Sequence, residues 1–414
     1  MLRRYLHIIR KRNFSLLWFG QIISQFGERL TQIALVGLIY KASMSAASLA
    51  SVMSMAVIPV FIISPIAGVY IDRWSKKKTM YTADLIRSVF ILLIPFLFLK
   101  FKTMLPIYIL IFLSFSAGRF FIPAKMSFIP RVVSKGDIFM ANSLISITAT
   151  IAAILGIGFG GVIIEKYGVT VGFILNATTF FISAMAIMLI NVRERGEFIP
   201  KDIIDIGKEV VGTMKKSFAW ELREGIRYII NSHETKYAFK TYLFLFAYIG
   251  GLYVVFIRFI QGVLSSVTKD LGFSAVFLGA GIFTGSVLYG RFAHRFAIKR
   301  IVNYAILAAS AYLIFFVALL ISYPYTWLCV SLSFILGITI SPAFVGINVL
   351  IHSESDTKLL GRIFSGLEFT SHLGFLIAMF ISSILADIFQ PFTIIIFVAI
   401  IGILFSLIFI FTDD

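Results

Sequence analysis

The feature that most constrains this chain is a succession of runs of about 20 mostly apolar residues, each long enough for one bilayer crossing. They lie near 14–40, 45–70, 79–99, 104–124, 142–164, 170–191, 241–264, 272–290, 301–322, 325–348, 363–386 and 391–411. Lipid offers the backbone no hydrogen bonds, so a spanning segment must be a helix or belong to a closed barrel. These runs lack the alternation of barrel strands, which leaves helices. Of the 414 residues, 59% are hydrophobic and only 14% are charged, too few polar groups to coat a water-soluble globule. The expectation is an all-α membrane protein of twelve transmembrane helices.

A formal net charge of +17 could suggest nucleic acid, but that reading needs basic residues gathered on one soluble face. Here they follow the loops. With the N-terminus inside, 28 of the 37 Lys and Arg fall in the tail and cytoplasmic loops. Lys125, Arg131 and Lys135 are counted among these. Five fall in the opposite loops and four within spans. The positive-inside rule then places both termini in the cytoplasm of a cell whose inner membrane holds the protein, with no nucleic-acid partner. Cys329 is the single cysteine, so no intrachain disulfide can form. The first apolar run is too long for a cleaved leader and is expected to stay as a helix.

One long polar stretch interrupts the runs, dividing the chain into 1–192, a cytoplasmic linker 193–240, and 241–414. Within the linker, Phe218, Trp220, Leu222, Ile226 and Ile229 are interleaved with Arg223 and Arg227, a composition suited to a helix on the membrane surface or one touching the underside of the bundle. The two halves echo each other. Gly68, Asp72, Arg73, Lys77 and Lys78 correspond to Gly290, His294, Arg295, Lys299 and Arg300 at an offset of 222. Gly118, Pro123 and Ala124 correspond to Gly337, Pro342 and Ala343 at an offset of 219. Duplicated six-helix halves are a common transporter plan, with a binding site near the membrane midplane and alternating access by rocking.

The stretch Gly68-x-x-x-Asp72-Arg73-x-x-Lys76-Lys77 resembles the signature loop of the major facilitator superfamily, with Ser75 where the family has glycine. The resemblance implies the major facilitator fold, two pseudo-symmetric six-helix halves, and a cytoplasmic latch formed by Gly68, Asp72, Arg73 and Lys77. Gly156, Gly158, Gly160 and Gly161 look like the antiporter motif of exporters in that family, with Ile157 in place of its proline. Physically, small residues in a span allow close helix packing. Gly27-Glu28, Pro123-Ala124-Lys125, Ala141-Asn142, Thr150 to Leu155 and Gly361-Arg362 are similar to a branch of lysophospholipid transporters, siderophore exporters and macrolide-type drug exporters. That branch implies a small amphiphilic or hydrophobic cargo.

Ionisable groups within spans are costly and are functional candidates by default. Here they are Glu28, Arg29, Asp84, Arg87, Arg119, Arg258 and Glu368. Asp84 and Arg87, three residues apart, share a helix face and can neutralise each other. Glu28 and Arg29 point about 100° apart, so at least one needs another partner. A carboxylate at such depth can load and release a proton, which makes Glu28 the first choice for proton coupling. The competing reading fixes it to Arg119 or Gln21 as a structural pair. Arg119 has no acid one turn away, and its forked donors would suit a carboxylate or phosphate on the cargo. Arg258 is its counterpart in the second half, or snorkels toward the membrane surface.

No phosphate-binding loop is present, so energy must come from a gradient of protons or another cation, or of the cargo itself. The five histidines are scattered, giving no metal site, no cofactor and no sign of an enzyme. The expectation is therefore a monomeric secondary transporter exporting an amphiphile. The alternatives are a lysophospholipid flippase, or a channel or receptor built on the same fold.

Overall fold

A computed structural model of the chain describes residues 2–101, 103–192, 233–292, 297–354 and 360–412. Every long element among them is a helix, because each apolar run closes its own backbone hydrogen bonds. The first half comprises α1 (Leu2–Ile9), α2 (Arg12–Ala42), α3 (Ala46–Ile62), α4 (Ser64–Arg73), α5 (Lys76–Phe101), α6 (Leu105–Val132), α7 (Ile138–Tyr167) and α8 (Val169–Met188). The second comprises α9 (His233–Leu264), α10 (Lys269–Phe292), α11 (Ile298–Ser322), α12 (Thr326–Glu354), α13 (Leu360–Ile388) and α14 (Pro391–Thr412). Among the described residues, ten helices are long and apolar enough to cross a membrane. The 31-residue α2 and the α3 and α4 pair occupy the other two expected spans.

Boundaries differ from expectation where the backbone chemistry changes. The run 45–70 is not one helix: it breaks at Ile63, before Pro65, whose ring nitrogen cannot donate to the ladder. Between α7 and α8 the chain turns on one residue, Gly168 at φ +90°, a backbone region that favours glycine. At the other end of the run, α6 continues past Pro123 to Val132. Lys125 and Arg131, expected in a loop, therefore lie on a helix. The surface helix expected in 217–230 falls outside the described residues.

The chain divides into two compact units, Met1–Leu38 with Ser51–Lys216, and Ile39–Ala50 with Ser217–Asp414. In the first, α5 packs on α6 and α8, and α4 on α6. In the second, α11 packs on α12 and α14, and α10 on α12. These pairings are the same when the second set of spans is counted from its own start, so the sequence echo is also an echo of packing. The close pairs depend on glycine. A β-carbon at Gly156 would lie 2.7 Å from the Phe26 carbonyl oxygen and 2.9 Å from the Arg29 β-carbon, so α7 meets α2 there. In the second unit Gly250 faces the Phe375 backbone across the corresponding pair, α9 on α13. Gly281 and Gly337 bring the backbones of α10 and α12 together.

The segment 39–50 joins the second unit through Asp387 near the end of α13. Its carboxylate accepts from the amides of Ala46 (2.6 Å) and Ala47 (3.0 Å) and from Ser45 Oγ (2.7 Å). Free amides at a helix start are a ready anion site, and Ser45 caps the same turn by accepting from the Ser48 amide at 3.1 Å. Replacing Gly156 by Ala should therefore cost about 1–3 kcal/mol through overpacking. Gly136→Ala, with nothing within 4 Å, should cost far less. Thermal denaturation of the purified protein in detergent, followed for both variants, checks the contrast.

Candidate functional site

Three helices of the first unit, α2, α5 and α6, bring their ionisable groups together, and α8 adds Phe180 and Ser183. α5 presents Asp84 and Arg87 on one face, as their spacing requires. Arg87 does not turn mainly to Asp84, however: its Nη2 donates to Glu28 Oε2 of α2 at 2.6 Å, whereas Nη1 lies 3.6 Å from Asp84 Oδ1. Packing decides this. The guanidinium lies over the Phe180 ring at 3.9 Å, and α6 leaves room for it at Gly118, where a β-carbon would stand 3.5 Å from Cζ. Asp84 is fully buried and accepts at Oδ2 from Ser183 Oγ of α8 at 2.6 Å. One guanidinium thus serves two carboxylates.

The structure thus replaces Arg119 and Gln21 with Arg87 as the direct partner of Glu28. Gln21 is engaged elsewhere, its Oε1 accepting from Lys125 Nζ at 2.9 Å. Arg29 and Arg119 do lie within electrostatic reach of Glu28, and Lys125 within reach of both Glu28 and Asp84. Lys125 is the participant that sequence reasoning missed by counting it with the loops. The available signal was its place seven residues after Gly118, two helical turns along the face that borders Arg87. Arg29 Nη1 donates to Gln32 Oε1 at 2.8 Å, while its Nε is shielded from solvent and has no hydrogen-bond partner. In total Arg29, Arg87, Arg119 and Lys125 stand against Glu28 and Asp84, an excess of positive charge.

On another face of α2 lies an apolar groove of about 320 Å³, walled by Ile22, Ile23 and Phe26 of α2 and by Thr148, Ile151, Ala152 and Leu155 of α7. Thr148 Oγ1 accepts from Trp18 Nε1 at 3.0 Å. The glycines Gly156, Gly158, Gly160 and Gly161 are buried along α7 just past the groove.

Other expected residues lie apart. Arg258 of α9 belongs to the second unit, 6.0 Å from the Tyr40 ring and within electrostatic reach of Asp387. For Gly68, Asp72, Arg73 and Glu368 the helix backbone is described, but side-chain placement falls outside the described residues, as do His294 and Arg295. Lys77 of the expected latch donates to the Ile190 carbonyl, just past α8, at 2.6 Å. A cation there is favourable, since the last carbonyls of a helix lack intrahelical donors. Among the described residues no group of three or more His, Cys, Asp or Glu could hold a metal.

The sequence matches a family model described as Major Facilitator Superfamily over residues 17–366. The chain belongs to this superfamily. Among curated superfamily relatives, the "Uncharacterized MFS-type transporter YkuC" of Bacillus subtilis (strain 168) is 24% identical over 369 residues, covering 87% of this chain and 82% of that protein. The "Putative bacilysin exporter BacE" of Bacillus amyloliquefaciens is 30% identical over 185 residues, 44% of this chain and 45% of that protein. Among solved structures, a mutant of the nucleoside transporter NupG aligns with a TM-score of 0.69 at 13% identity, over 97% of this chain and 98% of that one. A bacterial homolog of the human lysosomal transporter Spinster aligns at 0.64 and 12% identity, over 97% and 95%. These structures establish the major facilitator fold, and the chain is a multi-pass membrane transporter of that superfamily.

Removing one partner of a buried ionic network leaves the others uncompensated. Arg87→Ala should therefore destabilise the first unit by about 3–5 kcal/mol. Adding Glu28→Gln to Arg87→Ala should recover part of that loss. Melting of the single and double variants in detergent measures both effects.

Proposed function

We propose that this transporter is a secondary carrier that exports a small amphiphilic or hydrophobic compound by alternating access and is driven by protons. The observation that carries the reading is the sharing of Arg87 between Glu28 and Asp84, 2.6 Å and 3.6 Å away. A purely structural ion pair needs only one carboxylate. With two, a proton arriving on Glu28 releases Arg87 to Asp84, and its departure returns the guanidinium to Glu28. The network then has two arrangements, each with one anion matched to Arg87, and helices tied to these side chains can follow the change. In this reading Glu28 carries the proton, Asp84 is the alternate partner, and Arg119 and Lys125 keep the surroundings cationic.

Export is favoured by the relatives named as bacilysin exporters, whose match covers under half of each chain, and by the glycine-rich stretch of α7. The charge distribution favours a cell membrane with the basic loops on the cytoplasmic side. Nothing in the sequence supplies an ATP engine, which fits a gradient-driven cycle.

Reconstitution in proteoliposomes tests the proposal. Saturable, counterflow-competent transport driven by a pH gradient is expected for the unmodified protein. Glu28→Gln should keep counterflow and lose pH-driven accumulation. Unsaturable flux would mean a channel, and pH-driven accumulation that survives Glu28→Gln would remove Glu28 from the coupling role.

A further inference from the structure

We propose that Asp387 is a releasable clasp on the α2–α3 connection, closed in this structure, and that Arg258 takes over its carboxylate when the clasp opens. The inference rests on the carrier reading and names a conformational switch for it.

The path of the chain makes the contact mechanical. Residues 39–50 are grouped with the second unit, yet Leu38 before them and Ser51 after them belong to the first. A rocking motion that carries the first unit's residues away from α13 must therefore either bend the chain at both ends of this segment or break its bonds to Asp387. Those bonds come from the Ala46 and Ala47 amides and the Ser45 hydroxyl, at 2.6, 3.0 and 2.7 Å. All of them meet one carboxylate, so they form and break together.

The turn that presents these donors is strained. Met44 sits at φ +52°, a left-handed conformation that residues with a β-carbon rarely adopt. Its amide still bonds the Ile39 carbonyl at 3.2 Å, so the chain reverses within two residues of the end of α2. The same turn recurs in the second unit at an offset of 221. Ser265 is at φ +52°, and Ser266 Oγ accepts from the Asp270 amide at 3.1 Å, as Ser45 Oγ accepts from the Ser48 amide. The strained, serine-capped helix start thus belongs to the duplicated scaffold, and backbone strain of this kind clusters at clamps and switch regions.

Asp387 is exposed, so water competes for its oxygens and the bonds can exchange. Once released, the carboxylate has a waiting partner. α9 packs on α13 and carries the half-buried Arg258, which lies within electrostatic reach of Asp387 and 6.0 Å from the ring of Tyr40, inside the clasped segment. With the segment in place, Arg258 shares Asp387 with the amides of α3. With it gone, the guanidinium has the carboxylate to itself, and neither arrangement leaves the anion unmatched.

Gln25 supplies a reporter position, half-buried in the middle of α2 on the face that holds Gln21 and Glu28. Gln25→Cys is made in the full chain, whose one native thiol, Cys329, is buried, and the chain without the new cysteine gives the background. Labelling by the membrane-impermeant reagent MTSET is timed in intact cells and in inverted membrane vesicles. Asp387→Ala should speed labelling in cells about tenfold, the scale of one lost charge-assisted hydrogen bond, with no rise in inverted vesicles. Asp387→Asn keeps an acceptor oxygen and the side-chain shape, so it should give a smaller rise, and it carries the test if the alanine variant fails to reach the membrane. Arg258→Gln should slow labelling in cells below the parent rate, because it removes the partner of the open state.

An unchanged rate in cells for both Asp387 variants would overturn the proposal. So would an equal or larger rise in inverted vesicles, which would mean a loosened fold instead of a one-sided opening. Arg258→Gln that leaves the rate unchanged or raises it would overturn the handover. The labelling needs no cargo. A one-sided rise in a protein without counterflow would therefore sink the carrier reading and leave the clasp, whereas saturable transport with labelling indifferent to Asp387 would do the reverse.

Discussion

A charge removed from water into a helical bundle must be matched locally, and the arrangement of the first unit follows from matching Arg87. The guanidinium is placed by Phe180 beneath it and by the absence of a side chain at Gly118, and is divided between carboxylates from two helices. Because α2, α5, α6 and α8 all contribute, the ion network and the helix packing are one structure. Moving any of these helices changes how the charges are paired, which is what coupling between a proton and a conformation requires.

The two units use the same packing plan with different chemistry. Both repeat the pairing of the third span with the fourth and sixth, yet equivalent glycines do different work. Gly118 makes space for a charged side chain, whereas Gly337, its partner in the echo, lets two backbones touch. In the second unit, among the described residues, buried polar groups are chiefly hydroxyls and amides such as Thr241, Gln261, Asn303 and Ser310. Asp270 is a buried carboxylate of this unit, whereas the exposed Asp387 of α13 accepts from the amides at the start of α3. Duplication kept the scaffold, and the buried ionic network described above belongs to the first unit.

Much of this was legible in the chain. The apolar runs dictated helices because hydrocarbon leaves the backbone no other partner, and the offsets of 222 and 219 announced the repeat. The superfamily resemblance could be read from the loop around Asp72 and was borne out by the family match. The intramembrane charges could be named in advance, since their cost makes them conspicuous. Boundaries were less legible: Pro65 split one run, while Pro123 and Pro130 did not stop α6.

What the sequence by itself determined was the inventory: helices, their repeat, and the charged residues that helices must bury. Which charge meets which was decided only by tertiary structure. Spacing along α5 allowed Asp84 to take Arg87, but spacing is silent about the neighbours, and the ring of Phe180 with the gap at Gly118 aimed the guanidinium at Glu28. Lys125 entered the network for the same reason: α6 runs on past Pro123, and only the approach of α6 to α2 brings Lys125 to Gln21. Periodicity sets a side chain's face, whereas contacts between helices distant in sequence set its partner.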